Sequence, residues 1–136
     1  MTQSEIRSFF PSWIAPFFYD VDYAKPTSDW LLNEFGPWFR KNRWKKDLDK
    51  WSRRNDCDNT ARSYCVAAQD AHAKGDSQAE AIAVGEFCYI ATTHVQGAHA
   101  IVCAFTEEGL IFIEPQTGQR LALIPTEIQS CFRVSF

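Results

Sequence analysis

Between Glu86 and Phe136 the sequence carries repeated strand patterns broken by short turn signals, and this half limits the fold more than any other stretch. The patterns fall at Glu86–His94, Ala98–Phe105, Leu110–Glu114, Arg120–Ile124 and Gln129–Phe136. Gln96-Gly97, Thr106–Gly109 and Pro115–Gly118 separate them, with the Gly and Pro chemistry that reverses a chain. Links this short join neighbours antiparallel, so an antiparallel meander is expected. The preceding half reads as helix. Helices followed by strands is the α+β arrangement.

The hairpin across Thr106–Gly109 can be followed residue by residue. If Phe105 opposes Leu110, Cys103 opposes Phe112, Ile101 opposes Glu114 and His99 opposes Gln116. One face then holds an apolar set with three polar groups at one end: His99, Glu114 and Gln116. A slip of one residue would turn the apolar set outward, so the register is constrained. Glu114 sits diagonal to His99 and Gln116 opposite it, both within reach of an imidazole.

The helical half divides at Asn55-Asp56-Cys57-Asp58-Asn59-Thr60-Ala61. Asp56 is a natural cap for a helix running on through Arg62 to Lys74, with Gly75 ending it. Cys57 then lies in the first turn, where free N–H groups and the helix dipole favour a thiolate. Cys57, His99 and Glu114 thus have the residue types of a nucleophile, a general base and an orienter. Gln116 is an assisting candidate. One oxyanion donor is the Cys57 N–H; a second comes from Asn55 or from the indole of Trp44 or Trp51. His94 is a competing base. His72, about four helical turns beyond Cys57, is too far to serve it.

Upstream, Ser28 is expected to cap a helix over Asp29–Phe35. Gly36-Pro37 stops it and opens another, to about Arg53. Asp76–Val84 is expected to hold a short helix at Gln78–Ile82. Residues 1–27 carry seven aromatics among three prolines and read as an irregular arm, with a helical turn near Ser4–Phe10. An arm lying over Cys57 would shut the site. The 136 residues form one domain: arm (1–27), helical half (28–84) and sheet half (85–136).

A net charge of −3 argues against nucleic acid as a general partner. Eight of the fourteen basic residues nevertheless lie within Arg40–Arg54, offset only by Asp47 and Asp49. That run is expected to be either a solvated helix face or a docking patch for an acidic partner. Five cysteines, without a zinc spacing, point to a reducing, cytoplasmic setting. No membrane span or signal is expected.

Asp56-Cys57-Asp58-Asn59-Thr60-Ala61, Gly97-Ala98-His99-Ala100 and Ile113-Glu114-Pro115-Gln116 together resemble the papain-like cysteine peptidase superfamily. They are most similar to the small C-terminal protease domain of a mushroom agglutinin, and similar also to small phage and bacterial transglutaminase-like proteins. The cell-wall NlpC/P60 peptidases share an Asp-Cys helix start but have Ser-Gly where this chain has Asp58-Asn59. The resemblance implies a papain-like fold, with the Cys-bearing helix against an antiparallel sheet or half-barrel. It implies a small cysteine hydrolase of peptidase or amidase type, cleaving a protein or peptide through a thioester on Cys57. His99 is then the base and Glu114 the orienter. No cofactor is required. The agglutinin relatives imply a divalent cation, calcium or manganese, for which Asp56 and Asp58 are candidate ligands. The alternatives are a transglutaminase-like acyl transferase and an idle domain serving as an inhibitor or accessory protein.

Overall fold

The computed structural model describes residues 1–43 and 56–136. Its centre is a five-stranded antiparallel sheet of order β6-β5-β4-β3-β7. The strands are β3 (Val84–Ala91), β4 (Gly97–Thr106), β5 (Gly109–Glu114), β6 (Gln119–Leu121) and β7 (Arg133–Ser135). The first four form the expected meander. The last departs from it: β7 crosses to the far edge and pairs with β3. Pro125 is the reason. It begins a short helix, α4 (Pro125–Gln129), in a stretch expected to be strand on both sides, because proline suits the first turn of a helix.

The expected hairpin register is present, with Phe105↔Leu110, Cys103↔Phe112 and Val102↔Ile113 paired. The ladder ends there, so Gln116 does not oppose His99 as a strand partner. Gly109 takes φ 101° in the turn, a conformation glycine adopts without strain.

Alternation along β3, β4 and β5 sends side chains into two cores. On one face Val84, Cys88, Ala100, Val102, Ala104, Ile111 and Ile113 pack against α3 (Cys57–His72) and against Leu31, Phe35 and Phe39. Ala61, Ala67 and Ala68 let α3 lie close to the strands. On the other face Phe87, Tyr89, Ile101, Cys103, Phe105 and Phe112 pack against Ile6, Phe10 and Ile14 of the arm and Phe136. The arm therefore covers the sheet face opposite α3. Its Tyr19 and Asp20 reach the side of α3 at Arg62–Gln69, but no arm residue lines the cavity at Cys57.

The arm holds α1 (Gln3–Arg7), capped by Thr2, and β1 (Tyr23–Ala24). β1 pairs in parallel with β2 (Ala81–Ile82). A helix had been expected at Gln78–Ile82. Instead, Ala81 and Ala83 donate to the carbonyls of Asp22 and Ala24 at 3.1 and 2.8 Å.

Before α3, Thr27 rather than Ser28 caps the helix, its hydroxyl accepting from the Trp30 N–H at 3.1 Å. Ser28 is turned to Glu107 and Glu108. Gly36-Pro37 does not stop the helix: a π-helical turn over Trp30–Phe35 runs straight into α2 (Gly36–Arg43). Gly36 donates to Leu31 five residues back. The widened turn changes the hydrogen-bond spacing just where Pro37 has no N–H to give. The arrangement is α+β with an open antiparallel sheet among the described residues. No helix among them is long and apolar enough to cross a membrane.

Candidate functional site

Asp56 stands at the start of α3 in extended backbone, φ −100° and ψ −168°. Its carboxylate accepts from the Asn59 N–H, and Asn59 returns the bond to the Asp56 N–H, both at 3.4 Å. This reciprocal cap fixes Cys57 as the first residue of the helix. Asp58 pairs with Arg62 at 2.9 Å, one turn on. Arg62 reaches back to Glu86 at 3.3 Å, and Arg133 meets the same carboxylate at 3.0 Å. Glu86 is only 2% exposed, so its charge depends on these two guanidiniums. They tie the start of α3 to β3 and β7.

Where the β4–β5 ladder ends, His99 makes two contacts. Its Nε2 lies 2.7 Å from Glu114 Oε2. The Cys57 thiol lies beside the same ring and interacts with it. Glu114 is buried at 7% exposure, and its other oxygen accepts from the Gln116 N–H at 3.2 Å. Gln116 thus supports Glu114 through its main chain; its side chain was the expected contributor.

The electrostatics follow from these contacts. The hydrogen bond with His99 lowers the Cys57 pKa, outweighing burial, with help from the Ala100 N–H. Burial alone would lower His99. Bonds to Cys57 and Glu114 overcome it and raise the imidazole to about 9. Each partner stabilises the charged form of the other, as in a thiolate–imidazolium pair. The other thiols move the opposite way. Burial raises Cys131 to about 11 and Cys88 to about 12, and pushes Cys65 and Cys103 up as well. All five cysteines are free.

His94 was expected to be an exposed bystander or a rival base. It belongs to the cluster instead. Its Nε2 lies 3.9 Å from Glu114 Oε2, and its ring centre is 5.3 Å from that of His99. The Tyr89 hydroxyl lies 3.2 Å from His94 Nε2 and 3.4 Å from its Nδ1. His72 stays apart, its Nε2 3.0 Å from the Ala79 carbonyl oxygen.

One residue of this region was missed in the sequence. Glu127, 1% exposed, accepts from the N–H groups of Thr92 and Thr93 at 2.7 and 3.0 Å and from Ile124 at 3.2 Å. Burial would raise its pKa, but these donors bring it down to about 2. Glu127 pins the loop that carries His94. Pro125 was the available signal, since a Pro-Thr-Glu helix start places an acid where free N–H groups collect.

The sulfur, His99, Arg62, Arg133 and the exposed Phe132 line a cavity of about 230 Å³. A larger one of about 770 Å³ lies elsewhere, between Trp30, Phe35 and Trp38 on one side and Asp70, Ala71 and Lys74 of α3 on the other. Asp56 and Asp58, the expected cation ligands, are engaged as cap and ion-pair partner. Asn55, Trp44 and Trp51, the oxyanion candidates, lie outside the described residues, as does most of the basic run Arg40–Arg54.

No family model matches the chain, and no curated protein matches its sequence. Solved structures do match its fold. One is described as a PSL1a–E64 complex, at TM-score 0.77 and 15% identity, covering all of this chain and 51% of that one. Another is a Polyporus squamosus lectin bound to the human-type influenza-binding epitope Neu5Acα2-6Galβ1-4GlcNAc. It matches at TM-score 0.67 and 19% identity, over 89% of this chain and 42% of that one. The chain therefore spans about half the length of its structural neighbours.

These findings correct the family reading. The neighbours are described as a lectin and a PSL1a complex, and neither description names a peptidase or a transglutaminase. The papain-like and transglutaminase-like assignments are set aside. With them go the cysteine hydrolase, its peptide substrate, the acyl transferase and the idle inhibitor that they implied. At these identities the likeness concerns the fold. The sialylated glycan is a ligand of the longer lectin chain.

Proposed function

We propose that this chain carries a nucleophilic thiol centre: Cys57 as the nucleophile, His99 as its proton partner, and Glu114 as the group that orients His99. The observation behind it is one imidazole that interacts both with the Cys57 thiol and, through Nε2, with the buried Glu114 carboxylate. A carboxylate on Nε2 holds a proton there. Nδ1 is then left to take the thiol proton, so the sulfur is presented as a thiolate. The chemistry assigned is one covalent step: the sulfur lone pair forms a bond to an electrophilic carbon of a ligand entering the cavity beside Arg62 and Arg133, the leaving group departs with the electron pair of the carbon bond that breaks, and His99 keeps the thiol proton. A reducing compartment suits such a thiol and the four others.

The test is modification of the native protein by iodoacetamide, read for each cysteine by peptide mass spectrometry. Cys57 is expected to be modified first, and His99→Ala to remove that preference. Equal modification of Cys57 in wild type and His99→Ala would end the reading.

A second reading, glycan binding without a covalent step, draws on the lectin's ligand and on the larger cavity. There Trp38 is half exposed, stacked 5.7 Å from Phe35, which itself stacks 4.7 Å from Trp30. Glu34, Asn42 and Asp70 line the same space. Aromatic faces beside polar side chains suit a sugar ring. Saturation-transfer NMR with the sialylated trisaccharide would show contact in wild type and none in Trp38→Ala. An equal signal in both would exclude this cavity.

A further inference from the structure

His94 has no part in the thiol centre, yet the fold holds it against the outer side of that centre. Among the described residues, His94, His99 and Glu114 form a group whose ligating atoms all lie within 4.8 Å of one another. His99 Nε2 and Glu114 Oε2 are 2.7 Å apart, and His94 Nε2 is 3.9 Å from the same oxygen. Two imidazoles and a carboxylate are a donor set for zinc, at bonds of about 2.0–2.2 Å. Tetrahedral ligands at that radius stand roughly 3.4 Å apart. The present edges bracket that value. The His99–Glu114 edge must open by some tenths of an ångström, and His94, on an exposed loop, must swing in.

The surroundings are arranged for this. Tyr89 lies under the His94 ring, where its hydroxyl oxygen can accept a hydrogen bond from the Nδ1–H once Nε2 is engaged. Glu127 fixes the two residues before His94. Such outer partners orient metal-binding imidazoles. Neither is explained by pairing of Cys57 with His99.

We propose that His94 Nε2, His99 Nε2 and Glu114 Oε2 form a site for a divalent transition metal of the zinc type, its fourth position open to solvent. Binding forms three coordinate bonds and releases to solvent the proton held between His99 and Glu114. The metal then occupies the nitrogen through which Glu114 orients His99, and Nδ1 stays on the side of Cys57. The metal site does not rest on the thiol-centre reading.

The experiment titrates zinc against a chromophoric chelator with wild type, His94→Ala and Cys57→Ala, each checked for an unchanged circular dichroism spectrum. Wild type and Cys57→Ala are expected to bind one equivalent alike. His94→Ala should bind about tenfold or more weakly. Cobalt in place of zinc should give no thiolate-to-metal charge-transfer band. Equal binding by His94→Ala, loss of binding in Cys57→Ala, or a thiolate band would each overturn the site. If zinc binds as described while metal-free Cys57 is unreactive, the thiol reading has failed and the metal site stands.

Discussion

Replacing Glu114 by Gln keeps a side chain of the same shape and an oxygen able to accept from His99, but removes the charge. His99 rises from its ordinary 6.5 to about 9 because bonds to Cys57 and Glu114 outweigh its burial. One pKa unit is worth about 1.4 kcal/mol, so the full displacement corresponds to roughly 3 kcal/mol. Cys57 holds part of that, and solvent at the open side of the site screens part of the rest. Loss of the Glu114 charge should cost about 1–2 kcal/mol. The sign follows from the direction of the shift. A histidine whose folded pKa is raised contributes fully below 6.5 and loses that contribution as pH rises through about 9. Urea unfolding at pH 6 should therefore show Glu114→Gln less stable than wild type by this amount, and at pH 10 the gap should close. In parallel, the His99 titration followed by NMR should move back toward 6.5. A gap of the same size at pH 10, or an unmoved His99 titration, would show that Glu114 acts by packing and not by charge.

Three further outcomes are expected. At pH 7 a thiol with pKa about 11 is about 0.01% ionised, and one below the ordinary 9 is at least about 1% ionised; Cys57 should thus be alkylated at least about a hundredfold faster than Cys131, and comparable rates would contradict the pairing with His99. Glu127→Gln should cost about 1.5–3 kcal/mol in chemical unfolding at pH 7, because a buried charge-assisted cluster is weakened. Its carboxylate sits low, at about 2, so wild type should keep this advantage above pH 4.5 and lose it only as pH falls toward 2; an advantage that vanished by pH 4 would be inconsistent with it. Gly85→Ala would drive a Cβ into the Ser135 carbonyl oxygen and place it 2.8 Å from the Phe136 ring, forcing β7 off the sheet edge. We expect a loss of about 1–3 kcal/mol, and an unchanged thermal midpoint would show that β7 yields freely.

What could be read from the sequence was what depends on neighbours along the chain. The hairpin register followed from a short turn and an alternating pattern, and it brings Glu114 to His99. The cap at Asp56 followed from residue type, and it sets Cys57 at a helix start. Elements with competing local signals were misread. Gly36-Pro37 has the chemistry of a helix stop, but a π-turn absorbs the missing N–H. The stretch after Leu123 has strand-like composition, but Pro125 opens a helix and sends β7 to the opposite edge. His94 was misjudged because its place depends on Glu127, thirty-three residues away in a different element. No periodicity encodes a side chain that receives the backbone of a distant loop. The family reading shows another limit. Three short motifs placed the chemical groups together, but their resemblance named peptidases, whereas the solved structures sharing the fold are described as a lectin and a PSL1a complex.

The two sheet faces explain why the polar cluster sits where it does. Both cores claim the middle of β4: Val102 and Ala104 face α3, while Ile101 and Cys103 face the arm. A charged or titrating group there would lose water on both sides without a partner. Only past the last rung of the β4–β5 ladder does β4 leave this double burial, and His99 lies there. That position is dry enough to strengthen its bonds to Cys57 and Glu114 and open enough for a ligand to reach the sulfur. The same logic predicts what moving the group inward would do. Ile101→His, one alternate position deeper on the same face, should unfold the protein at neutral pH rather than create a second titrating site. A folded Ile101→His variant with an ordinary histidine titration by NMR would show that the arm face is not the closed core described.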